Sequence, residues 1–273
     1  MVFYVQRLNI LHFLPPRSSA FFPTKLLDFA AYYRRERHRP PHLLRGFVLS
    51  RSVEKKMHAL VIGATGATGS DLLELLLEDE DFDQVDIFVR REPGLRHDKL
   101  RIHIIDFDKP EEWRHLVKGD VLFSCLGTTI KAAGSKEAQW KIDHDYQYEF
   151  AKAARENKVE TYVLVSSSGA SANSMIFYTK MKGRLELAVK ALGFPKLFIF
   201  NAPLLERKHS DRGGEVIGLK VLRLLNKIGL FKSQTPLPTE VLAHAMINAA
   251  KATENGIHAF HGKEIWACAD AER

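Results

Sequence analysis

From residue 58 onward the chain alternates between short, continuously apolar runs and longer stretches whose apolar residues return every three or four positions. The short runs, at 58–62, 85–89, 101–105, 120–125, 161–165 and 196–200, have the length of strands, and their unbroken apolar character predicts burial on both faces. Between them, 71–80, 137–157 and 177–192 carry helical periodicity, the first through Leu72, Leu73, Leu75, Leu76 and Leu77. Strands that alternate with helices pair in parallel through right-handed crossovers, so the pattern predicts an α/β fold, a doubly wound parallel sheet with helices on both faces. After residue 200 the alternation breaks down. Residues 201–214 read as a polar loop, 215–230 as an amphipathic helix, 233–238 as a turn-rich connection and 239–252 as a helix opened by Thr239. Residues 201–273 are therefore expected to form a small lid or substrate-side region of a 57–273 domain.

Composition changes this picture only before residue 57. The 273 residues are 45% hydrophobic and 27% charged, ordinary for a globular chain, and no apolar run approaches the ~20 residues of a membrane-spanning helix. The net charge of +7 suggests nucleic acid until it is located: residues 1–56 hold eleven Lys/Arg against three Asp/Glu, or +8, and the remainder sums to −1. The leading segment lacks the charged start and small-residue cleavage site of a secretory signal. It is Arg-rich and acid-poor like an organelle transit peptide, although Phe and Leu stand where Ser is usual. The expectation is a basic, poorly ordered extension, or a start placed upstream of a true one at Met57. A basic arm for nucleic acid or anionic lipid is the alternative reading. Cys125 and Cys268 make no disulfide framework or zinc-type cluster, and the twelve histidines show no metal-ligand spacing. A reducing, cytoplasmic setting with no metal, nucleic acid or membrane contact is expected, for a monomer or small homo-oligomer.

The sharpest motif is Gly63-Ala-Thr65-Gly66-Ala67-Thr68-Gly69, between the first strand and the first helix. Gly63 suits a tight turn, Gly66 lets the backbone approach a pyrophosphate and Gly69 lets helix and strand pack closely. The helix N-terminus adds amide donors and a favourable dipole for phosphate. The second strand ends in Arg90-Arg91, at the place where a dinucleotide fold meets the adenosine ribose. An acidic residue there favours NAD, whereas planar, permanently charged arginines suit the 2′-phosphate of NADPH. A solvated surface pair is the plainer reading of the arginines. Asp106, past the third strand, reads better as a turn cap than as an adenine contact.

The fifth strand runs into Ser166-Ser167-Ser168-Gly169, and Tyr178 and Lys182 lie four apart on the next helix, on one face. A lysine cation beside a phenol favours the phenolate, and a serine hydroxyl at the strand end can hold a substrate carbonyl beside it. Taken with the glycine motif, this set resembles the atypical branch of the short-chain dehydrogenase/reductase superfamily. Cys125-Leu126-Gly127-Thr128-Thr129, Ala133-Gly134 and Ile142-Asp143-His144-Asp145-Tyr146 narrow the resemblance to the Tat-interacting-protein-like oxidoreductases, over about residues 57–248. The resemblance implies a Rossmann fold, NADPH as cofactor and Tyr178 as proton donor and acceptor. It also implies Lys182 on the nicotinamide ribose and cofactor contacts from Thr65, Gly66, Ala67, Thr68, Arg90, Arg91, Leu126 and Gly127.

Two departures stand out. Related sequences carry Arg-Pro-Gly after the sixth strand where this chain reads Asn201-Ala202-Pro203, although Arg207 could keep an arginine nearby. Three adjacent serines also leave the catalytic one open; Ser167, eleven residues before Tyr178, has the usual spacing. Cys125 reads as a small core residue and not a nucleophile. Asp143, His144, Asp145 and Tyr146 read as packing or partner contacts. The function expected is hydride transfer between a nicotinamide cofactor, NADPH in preference to NAD, and a small carbonyl or alcohol. A non-catalytic NADPH-binding redox sensor or scaffold is the alternative.

Overall fold

The computed structural model describes residues 56–206 and 236–271. Six predicted strands are present: β1 (Met57–Ile62), β2 (Phe82–Val89), β3 (Leu100–Ile104), β4 (Val121–Ser124), β5 (Thr161–Ser167) and β6 (Lys196–Ala202). A two-residue pair, β7 (Leu205–Glu206) with β8 (Leu237–Pro238), comes next, and a further strand, β9 (Gly256–His261), completes the main sheet. The order is β3-β2-β1-β4-β5-β6-β9, and every neighbouring pair is parallel. This is a doubly wound Rossmann-type sheet, and its strand order reverses between β1 and β4.

The helices are α1 (Ala67–Glu78), α2 (Pro110–Trp113), α3 (Ile130–Ala133), α4 (Lys136–Trp140), α5 (Tyr146–Glu156), α6 (Phe177–Lys190), α7 (Thr239–Lys251) and α8 (Lys263–Ala269). On one face Leu72 and Leu76 of α1, Leu242 and Met246 of α7 and Ile265 of α8 pack on Ala59, Val61 and Phe123. On the other, Phe150 of α5 and Leu185 and Val189 of α6 cover Leu60, Ile62, Leu122 and Tyr162, and Trp113 stacks on Phe150 at 4.0 Å. Both faces are dry, which is why the strands read as continuous apolar runs.

Where the sequence predicts one helix over 137–157, the chain makes α4 and α5 with a π turn, Lys141–Asp145, between them. The extra residue in that turn rotates α4 relative to α5, and Asp143 is left with no exposure at all. β9 and α8 were not expected. Histidines at 258 and 261 break the apolar pattern of β9, which lies at the sheet edge and is largely exposed. Two aromatic contacts hold it instead, His258 on Phe198 and Phe260 on Phe200. The expected extension at 1–56 (all but Lys56), the helix at 215–230 and Arg207 lie outside the described residues. Among the described residues, no helix is long and apolar enough to cross a membrane.

A polar cluster sits in this sheet around Asp86. Asp86 of β2 is 4% exposed and accepts from His58 of β1 at 2.9 Å, His103 of β3 at 2.7 Å and Gln84 at 2.7 Å. Burial opposes its ionisation, but the hydrogen bonds from His103, His58 and Gln84 outweigh that and hold the carboxyl well below its usual range.

Candidate functional site

The glycine turn lies at the reversal of strand order, the place where ligands enter such sheets. Gly63 has φ +81°, and a Cβ there would lie 2.5 Å from the carbonyl carbon of Cys125, at the end of β4. A Cβ on Gly69 would lie 2.0 Å from the Gly63 carbonyl oxygen, so helix and turn pack in direct backbone contact. The Gly66 amide donates back to the Gly63 oxygen at 2.9 Å, closing the turn. No side chain caps the N-terminus of α1, its first turn holds no acid, and Thr65 and Gly66 are exposed. Those free amides suit a diphosphate. Leu126 and Gly127 come after β4 beside this turn, and nothing lies within 4 Å of where a Gly127 Cβ would stand. Ala67 is half-buried and Thr68 buried, so Thr68 contributes packing as well as position.

Arg90 and Arg91 stand exposed just past the end of β2, and neither has an ion-pair partner among the described residues. Asp106 accepts from the Asp108 amide at 3.0 Å, the turn-capping role read from the sequence. The glycine turn and the helix amides together fit the diphosphate of a dinucleotide.

Beyond β5 the three serines differ. Ser166 is buried and donates to Glu186 of α6, and Ser168 donates to the Asn201 carbonyl at 3.1 Å. The Ser167 hydroxyl donates to the Ser168 carbonyl at 3.3 Å and interacts with the Tyr178 phenol. Tyr178 is 38% exposed and Lys182 only 3%, with the Lys182 ammonium donating to the Val165 carbonyl at 3.3 Å. The structure thus brings Ser167, Tyr178 and Lys182 to the ends of β5 and α6.

The phenol does not behave as the sequence alone suggests. Burial, reinforced by the negative charge of Asp143, pushes Tyr178 up to about 12, and the Ser167 hydroxyl only partly offsets this. Lys182 is not what sets this value, because its ammonium is turned to a backbone carbonyl. Burial lowers the Lys182 pKa, while the charges of Asp143, Cys125 and Glu186 work against that.

Asp143 is a site residue that sequence reading placed among packing contacts. It accepts from the Thr128 amide at 2.8 Å and from Gln139 at 3.5 Å, and Gln139 also donates to the Thr128 carbonyl at 2.9 Å. Burial raises its pKa against the opposing pull of Lys182, Thr128 and Gln139. The carboxylate therefore pins the loop after β4 and acts electrostatically on both Lys182 and Tyr178. The signal available in the sequence was an acid between two apolar helix positions, Ile142 and Tyr146. Desolvation pushes the Cys125 thiol up to about 12, which fits a packed residue and not a nucleophile.

Residues 63–191 match a family described as NAD(P)H-binding. "Protein FMP52, mitochondrial" of Meyerozyma guilliermondii is 35% identical over 219 residues, 77% of this chain and 94% of that protein.

The chain belongs to the FMP52 family.

The Saccharomyces cerevisiae FMP52 protein is 42% identical over 165 residues, 58% of this chain and 71% of its own. Among solved structures, UDP-glucose 4-epimerase of Thermotoga maritima, with UDP-glucose, superposes with a TM-score of 0.58 at 13% identity, over 75% of this chain and 77% of that one. The Bordetella bronchiseptica enzyme WbmH, in complex with NAD+, gives 0.55 at 16% identity over 75% of each chain. This FMP52-family chain thus carries an NAD(P)H-binding segment on a Rossmann-type fold that it shares with these two enzymes. The relatives named here carry the FMP52 name. They also overturn the cytoplasmic expectation, because the FMP52 proteins matched are named mitochondrial. That expectation discounted an Arg-rich, acid-poor leader for its shortage of serine.

Proposed function

We propose that this protein is an NADPH-dependent oxidoreductase that reduces a carbonyl to an alcohol, in a mitochondrial setting. The observation that carries the reading is the Ser167, Tyr178 and Lys182 set, built at the ends of β5 and α6 in a nicotinamide-nucleotide fold. NADPH, held by the Gly63–Gly69 turn and the α1 amides, would supply the hydride. Ser167 holds the carbonyl oxygen, and Tyr178, whose phenol burial holds in its protonated form, gives the proton to the oxygen as charge develops there. Lys182 positions the ribose, its ammonium held at the end of β5 by the Val165 carbonyl. Arg90 and Arg91, with no ion-pair partner among the described residues, support NADPH over NADH, since planar, permanently charged guanidinium groups suit a 2′-phosphate. The basic leader supports import through a transit segment.

The test is a fluorescence titration of the protein with NADPH and NADH, followed by a carbonyl-reduction assay of Tyr178→Phe. The reading requires tighter binding of NADPH, with the preference lost in an Arg90→Ala, Arg91→Ala double variant, and Tyr178→Phe that binds NADPH but does not turn over. Cofactor binding with no turnover of any carbonyl, by wild type or variant, points to a redox sensor instead.

A further inference from the structure

The three loops that border Tyr178 and Ser167 on the carboxyl side of the sheet share an unusual composition. Residues 125–130 after β4, 166–177 after β5 and 201–205 after β6 contain no Asp, Glu, Lys or Arg. They do present large apolar side chains to solvent: Ile130, Met175, Ile176 and Leu204, with Met175 99% and Leu204 47% exposed. Charge resumes at Lys131, Lys180 and Glu206.

These side chains stand on fixed backbone. Ser174 exchanges a 2.6 Å hydrogen bond with Thr179 and accepts from the Ile176 amide at 3.1 Å. The Ser171 amide donates to the Thr179 carbonyl, and a Cβ on Gly183 of α6 would lie 2.2 Å from the Ser171 carbonyl carbon, so this loop is pressed onto the helix of Tyr178. The Leu204 carbonyl accepts from the Leu237 amide at 2.9 Å, which anchors the other side. Apolar surface held rigidly against water beside a reacting group marks a binding surface. An anionic substrate entering here would lose its hydration without gaining a cation from any of the three loops, and Lys136, which reaches the second of them, is seated over the Phe177 ring at 5.6 Å.

Resting on the oxidoreductase reading, we propose that the substrate is an uncharged, apolar carbonyl compound, such as an aldehyde or ketone with a hydrocarbon tail lying against Met175, Ile176, Leu204 and Ile130. The balance is that of any carbonyl reduction. The substrate takes one hydride at carbon from NADPH, which becomes NADP+, and one proton at oxygen from Tyr178.

The experiment is a series of straight-chain aldehydes, butanal to decanal, turned over by the full chain with NADPH. The proposal expects kcat/KM to rise about fourfold for each added methylene before levelling off. Met175→Ser and Leu204→Ser should lower the decanal-to-butanal ratio of kcat/KM, a readout insensitive to the fraction folded. A flat series, or faster turnover of a charged carbonyl such as a 2-oxo acid, overturns the proposal, as does competition by UDP-glucose. A parallel arm measures binding of decanol and butanol to the NADPH-loaded protein. Tighter binding of decanol than butanol, together with no turnover of any aldehyde in the first arm, would sustain the apolar site and sink the oxidoreductase reading; equal or absent binding would sink the apolar site.

Discussion

The side-chain amide of Asn201 donates a 2.7 Å hydrogen bond to Glu186, joining the end of β6 to the helix that carries Tyr178 and Lys182. Both residues are buried, and Ser166 donates to the same carboxylate oxygen. The departure from Arg-Pro-Gly that marks this stretch of the sequence is therefore an inward-facing contact. Lys190 reaches the other Glu186 oxygen only at 3.9 Å. Asn201 and Ser166 thus carry most of the work of keeping that buried carboxylate solvated.

Asn201→Ala leaves Glu186 with one strong donor fewer. The expected loss is about 1–3 kcal/mol of unfolding free energy, read from urea denaturation. Asn201→Asp should cost more, because it sets two carboxylates together. Equal stability of all three proteins would show that the contact contributes nothing.

Gly69→Ala tests the phosphate turn. The added methyl has no room against the Gly63 oxygen, so backbone must move. A loss of about 1–3 kcal/mol is expected, with NADPH affinity weakened tenfold or more in the fluorescence titration. Gly127→Ala, in open space, is the control and should keep its stability.

Asp86 makes a prediction about acid. Its folded pKa lies below the unfolded value of 3.8, so its stabilisation is complete above that pH and drains away as pH falls. Acid unfolding of Asp86→Asn, monitored by circular dichroism, should accordingly show a shallower pH dependence below about pH 4 than wild type. An unchanged acid profile would mean that the two histidines do not hold the carboxylate in solution.

Asp143→Asn should keep the bond to the Thr128 amide while removing a charge that raises the Tyr178 pKa. The phenolate then forms at lower pH, and the alkaline rise in alcohol oxidation should move toward neutrality. A variant that changes only stability, with no displacement of the pH–rate curve, would confine Asp143 to holding the loop.

The sequence made the sheet legible because strands buried on both faces have no choice of pattern, and Gly63 and Gly69 because their contacts admit nothing larger. Ser167, Tyr178 and Lys182 were legible from spacing. The behaviour of the phenol was not, since it depends on Asp143, thirty-five residues away in the chain and brought close only by the π turn. β9 was missed for a different reason: an exposed edge strand needs few apolar residues, and its His258 is held by stacking on Phe198.

That π turn also fixes something other than residue identity. A helix advances about 100° for each residue, so one residue more or fewer between Lys136 and Glu156 turns one end of the helical stretch against the other by that angle. Asp143 would swing away from the Thr128 amide, or Phe150 out of the core. Substitutions can be absorbed here one at a time, but insertions and deletions cannot, and the spacing from Thr128 to Phe150 should be the most rigid ruler in the chain.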